Sequence, residues 1–267
     1  MILTGLILLA VGLADLVRRF APRRWIGYLV VAVLLLLLGS VADALLPMVA
    51  ALAAGALWVW SMPDDRPARA GFWPAVALAA VSVVAVVVGG DRGGSGLVGE
   101  VWRLESPWGP LSFDLAVLAL GVAAFLLESS NLVVRAALDG EHTWRPTEQI
   151  PDTAAAVTET PVTDTPATEP VATAPATASA PALDRRGAFQ GGRLIGPLER
   201  LLVLLLTLAA AYPLLAAMLA AKGIVRFPEI SRDGETGARA EYFLVGSLVS
   251  WVIALGAAFL VWWAAHS

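Results

Sequence analysis

Residues 25–62 read WIGYLVVAVLLLLLGSVADALLPMVAALAAGALWVWSM, an apolar run whose single charged side chain is Asp43. A transmembrane helix needs roughly 20 mostly apolar residues, so this run is long enough to cross a bilayer twice. Gly39, Ser40, Asp43 and Pro47 fall near its middle, where a tight turn between two antiparallel helices belongs. The expected fold class is therefore an all-α, polytopic transmembrane helix bundle.

Flanking segments extend the pattern. Residues 1–17 are apolar from the start, lack the basic stretch that opens a secretory signal, and are followed by Arg18, Arg19, Arg23 and Arg24; they are expected to span. Residues 72–89 (FWPAVALAAVSVVAVVVG) form a further span, and Pro110 to about Leu127 a fifth. The glycine-rich loop between them carries Trp102 and Trp108, which suit a headgroup region.

Composition agrees. Hydrophobic residues make up 58% of the chain against 15% charged, with a mean hydropathy of +0.75, too apolar for a water-soluble globule. There is no cysteine, which excludes disulfides and thiolate chemistry. Two histidines, His142 in a polar segment and His266 next to the last residue, read as solvated side chains. No metal and no cofactor is expected.

Residues 146–183 (PTEQIPDTAAAVTETPVTDTPATEPVATAPATASAPAL) change character to Ala, Thr, Pro and scattered acids. Such a stretch cannot bury enough surface to offset its ordering entropy. The chain therefore divides into an N-terminal membrane bundle of five spans (1–145), a disordered tether (146–192) and a C-terminal membrane module (193–267).

Within that module, residues 193–230 read either as one span over 201–221 or as a hairpin turning at Tyr212, with Pro213 opening the second helix. The positive-inside rule favours the hairpin, because it leaves only Arg92 and Arg103, of 18 Lys and Arg, outside. The expectation is eight spans (seven in the alternative), with the amino and carboxyl ends outside and the tether in the cytoplasm.

Candidate site residues are charges at depths where charge costs about 2.5–3.5 kcal/mol. In the hairpin Glu199 lies at a depth similar to Arg226, with Arg200 and Lys222 close by. Lys222, Arg226 and Glu229 share a helical face, and Glu128, Asn131 and Arg135 gather at the inner end of span five. Asp15 with Arg18 and Arg19 reads as an interfacial anchor. Asp43 and Asp114 lie near the opposite face, where a coupling-ion role has no support beyond position. The layer reads either as salt bridges and snorkelling anchors that hold the bundle in register, or as a basic pocket for a lipid headgroup or small anionic solute.

The blocks NLVVRAAL (131–138), GRLIGPLERLL (192–202), AAKGIVRFPEI (220–230) and AEYFLVGSLVS (240–250) resemble the recurring blocks of an uncharacterised family of bacterial polytopic integral membrane proteins. The resemblance covers roughly the second half of the chain. It implies that Asn131, Arg135, Glu199, Arg200, Lys222, Arg226, Glu241 and Tyr242 stand at family-typical positions, and it carries no reaction.

Function is bounded accordingly. The chain contains no P-loop, no dinucleotide-binding glycine pattern after a strand, no H-E-x-x-H and no G-x-S-x-G element. It has no basic and aromatic surface of the kind that binds nucleic acid. The expected partners are the lipid bilayer, here a bacterial inner membrane, and an anionic lipid or small anionic solute; the sequence does not fix an oligomeric state. Binding or transport of that anion through a ligand-binding set of Asn131, Arg135, Glu199, Arg200, Lys222, Arg226, Glu229, Glu241 and Tyr242 is the preferred reading. A structural or partner-binding subunit is one alternative. A membrane enzyme acting on a lipid-linked substrate is the other, with Glu199 and Glu241 the credible general bases.

Overall fold

The computed structural model of the chain describes residues 1–63, 71–89, 96–106, 109–140, 192–231 and 238–267. His142 and the expected tether, apart from Gly192 which opens a helix, lie outside them. The described residues are almost entirely helical: α1 (Ile2–Phe20), α2 (Arg24–Val41), α3 (Leu45–Ser61), α4 (Trp73–Val88), α5 (Gly96–Val101), α6 (Phe113–Ala124), α7 (Ser130–Gly140), α8 (Gly192–Leu208), α9 (Tyr212–Ser231) and α10 (Ala238–His266). A two-stranded antiparallel hairpin, β1 (Leu104–Ser106) and β2 (Gly109–Leu111), precedes α6.

Among the described residues three helical stretches are long and apolar enough to cross a membrane: Arg24–Val41, Phe113–Asp139 and Ala240–His266. Leu45–Ser61, Trp73–Val88 and Tyr212–Val225 are shorter apolar helices. The fifth apolar segment does not stop near Leu127. It continues through a π-helical turn (Phe125–Ser129) into α7, so one rod runs from Phe113 to Gly140.

The breaks between helices have local causes. Asp43 takes a left-handed φ of 51° between α2 and α3. Gly96, with φ 62°, starts α5 against that turn, and a Cβ there would stand 2.7 Å from the Val41 carbonyl oxygen. Between α8 and α9 the chain reverses over Ala209–Ala211, with Ala210 at φ 53°. Pro213 falls in the first turn of α9, where its missing N–H costs nothing.

The first helix is the centre of the bundle. Its face against α6 is stripped to backbone: a Cβ on Gly5 would lie 2.7 Å from the Leu118 amide nitrogen, and one on Gly12 2.5 Å from the Ala124 carbonyl carbon. Small residues allow such approach, and the dispersion contacts it gives are what hold helices together where no water is available to drive them. Thr4 on the same helix donates its hydroxyl to the Ser82 carbonyl of α4 at 3.1 Å.

Helix ends sort into two layers. Ile2, Ala42, Ala44 and Phe113 share one cluster, and Met1 abuts Gly89, so these termini lie at one end. Arg18 bonds the Met62 carbonyl and Arg19 bonds Glu128 at the other. Leu204, Ala258 and Ala264 pack with Leu8, Val86 and Leu118 in a second cluster, so helices from both sides of residues 141–191 share a core.

Candidate functional site

The π turn at Phe125–Ser129 builds the site. One extra residue in the turn widens the helix and re-aims the side chains after it, a device often found at functional positions. Here it carries Glu128, Ser129, Ser130 and Asn131 toward α1, α8 and α10. Ser129 and Ser130 are fully buried, and Ser130 returns its own proton to the Leu126 carbonyl at 2.8 Å.

Arg200 of α8 enters this layer with 4% of its surface exposed. Its Nε donates to Ser250 Oγ of α10 at 2.9 Å, and its Nη1 to Ser130 Oγ and Asn131 Oδ1, both at 2.7 Å, with the Leu126 carbonyl at 3.4 Å. All four acceptors are neutral. The rigid, planar fork of a guanidinium spreads its donors over two nitrogens and so reaches acceptors on separate helices, which the single nitrogen of an ammonium does not. Gly196, one turn earlier, brings bare backbone beside the fork: a Cβ there would lie 3.8 Å from Nη2 and 3.9 Å from Asn131 Oδ1.

Asn131 ties this arginine to a carboxylate. Its Nδ2 donates to Glu128 Oε2 at 3.4 Å, and Glu128 Oε1 in turn accepts from Arg19 at 2.7 Å. Asp15 and Arg18 are buried among the helices. Asp15 is 1% exposed, accepts from the Trp58 indole at 2.8 Å and lies 3.3 Å from Arg18. Arg18 donates to the carbonyls of Met62 and Val59 at 2.6 and 2.5 Å, closing the carboxyl-terminal end of α3. Both are interior because α1 is surrounded. Asp15 Oδ1 and Ser129 Oγ make no hydrogen bond among the described residues, and the Arg18 charge compensates the first.

On the adjacent face of α8, Glu199 receives Lys222 of α9. Lys222 Nζ stands 2.7 and 2.8 Å from the two carboxylate oxygens, and the Trp251 indole donates to one of them at 2.9 Å. The ammonium also faces the rings of Trp251 and Phe243, with centroids 5.5 and 5.9 Å away.

The structure thus brings Asn131, Glu199, Arg200 and Lys222 into one layer. Arg135 and Glu241 are exposed and Tyr242 is half-buried. The side chains of Arg226 and Glu229 lie outside the described ones; among the described residues Glu199 pairs with Lys222, which was expected close by. His266 is exposed, its ring against Trp262. Among the described residues no group of His, Asp and Glu could hold a metal ion.

Sequence reasoning missed Ser129, Ser130, Ser250, Trp58, Phe243 and Trp251. For the serines the available signal was polar residues inside apolar helices. For the last two it was the lysine itself: Lys222 is the sole lysine among 18 Lys and Arg. Searches against protein-family models, curated proteins and solved structures find no match to this chain.

Proposed function

We propose that the chain is a multi-pass protein of the bacterial inner membrane whose eight apolar helical segments each cross the bilayer, and that its buried polar layer binds an anionic group at Arg200. The resemblance to the family of bacterial polytopic membrane proteins belongs to the same proposal. One observation carries the binding reading: Arg200 is buried with only neutral direct partners. Elsewhere in the layer Arg18 with Asp15, Arg19 with Glu128 and Lys222 with Glu199 each match one base to one acid. Among the described residues Arg200 is the base without a directly bonded acid, and a charge so placed in a low-dielectric interior favours an anion beside it.

The anion is a phosphate-type group, from a lipid headgroup or a small solute, approaching along the bare backbone at Gly196. Binding without turnover suits the carboxylates, since Glu199 is held by Lys222 and Trp251 and Glu128 by Arg19. A second reading, a structural subunit, draws on the engagement of Arg200 Nε and Nη1 by acceptors on α7 and α10.

Native mass spectrometry of the purified chain separates the two. Phosphatidylglycerol or inorganic phosphate retained by the native protein should be lost from a folded Arg200→Gln variant. Equal retention by both proteins, or none by either, assigns Arg200 to the structural role.

A further inference from the structure

The environment of Lys222 is built by other helices. Glu199 comes from α8, and Phe243 and Trp251 from α10, whereas the ammonium arrives from α9. The Trp251 indole fixes the carboxylate, so two ring faces and two oxygens stand in place whether or not α9 contributes. A carboxylate flanked by aromatic faces is the chemistry that recognises an alkylammonium cation.

The occupant is partly open to its surroundings. Lys222 retains 25% side-chain exposure against 13% for Glu199. Its neighbours Ile224, Val225 and Phe227 point outward, more than two-thirds exposed or nearly so, and no described side chain of α9 is buried. The stem of a lysine has four rotatable carbons, so it can leave without moving a helix. A chain that uses arginine at every other basic position places its one lysine here. One ammonium nitrogen reaches both Glu199 oxygens and both ring faces here.

We infer that the cage formed by Glu199, Phe243 and Trp251 is a binding site for a primary alkylammonium group, with Lys222 as a built-in occupant that the ligand displaces. The incoming ammonium takes over both hydrogen bonds to Glu199 and both ring faces, and charge in the cage is conserved. The site lies on the face of α8 next to that of Arg200, and its contacts are to Glu199, Phe243 and Trp251 and not to Arg200. Phosphatidylethanolamine in the surrounding bilayer and a soluble amine present the same group.

The full chain in detergent is titrated with phosphatidylethanolamine and with phosphatidylglycerol of the same acyl chains, and binding is read by native mass spectrometry. Lys222→Met empties the cage and should raise phosphatidylethanolamine binding about tenfold over the native chain. The double variant Glu199→Gln with Lys222→Met keeps the volume but removes the charge, and should abolish that gain. Phosphatidylglycerol binding should be the same in all three. Acetylating the folded native protein neutralises Lys222, its sole lysine, together with any free α-amino group, without refolding; acetylation at Lys222, located by peptide mass mapping, should reproduce the gain if Lys222→Met fails to fold. Competition by free ethanolamine assigns the site to a soluble amine; its failure to compete assigns it to the lipid. Equal phosphatidylethanolamine binding by the native, acetylated and double-variant proteins would overturn the inference.

Discussion

Lys222 meets Glu199 across the Ala209–Ala211 turn, with Nζ 2.7 and 2.8 Å from the two carboxylate oxygens of a residue 23 positions earlier. That pair joins α9 to α8 at the depth of the buried layer. Because its members are partly exposed, removing one strands a charge at a cost below the roughly 3–5 kcal/mol of a fully buried pair. Glu199→Gln alone should lower stability by about 1–2 kcal/mol in detergent melts. Adding Lys222→Met should recover part of the loss, and strictly additive losses would show that the two do not interact.

A second expectation concerns the contact of α1 with α6. Gly12→Leu forces a side chain into the Ala124 backbone and should cost about 3 kcal/mol or prevent folding. Gly256→Leu, at a position with nothing within 4 Å, should leave the melting temperature within a degree or two of the native protein, on the order of a surface change. Equal tolerance of both changes in size-exclusion profiles and melts would remove α1 from the centre of the bundle.

Arginine at position 200 should not be replaceable by lysine. Arg200→Lys keeps the charge but cannot reach Ser250, Ser130 and Asn131 together, leaving buried acceptors unpaired at about 1–3 kcal/mol. A melting temperature unchanged from the native protein would count against the network.

Asp15 gives the sharpest contrast with its sequence reading. As an interfacial anchor it would tolerate alanine. As the buried acceptor of Trp58 and partner of Arg18, its loss should cost about 3 kcal/mol, since Arg18 then keeps only carbonyl partners in the interior. A cost under about 0.5 kcal/mol, the usual size of a surface change, would restore the anchor reading.

These contrasts show what the chain discloses locally. Apolar run lengths and the Tyr212–Pro213 step mark the helices and the α8–α9 break, because hydropathy and proline geometry act within a few residues. The interior place of Asp15 was not legible, since it depends on α3 and α7 closing around α1. Neither was the π turn, which inserts one residue into a helix whose apolar pattern runs on through it. The nearness of Lys222 to Glu199 was legible from the hairpin, because residues on either side of a turn meet at matching depth.

The membrane path itself is open to direct measurement, because the chain has no cysteine and an introduced one reports alone. Single cysteines at Ala210 and Ser267 are exposed in intact cells to a membrane-impermeant maleimide, with a third at Ala21, after α1, as the cytoplasmic reference. With eight crossings, Ala210→Cys and Ser267→Cys should label from outside and Ala21→Cys only after lysis. Ala210→Cys and Ser267→Cys protected in intact cells and labelled only after lysis would contradict the eight-span path and the place of the buried layer on the cytoplasmic side.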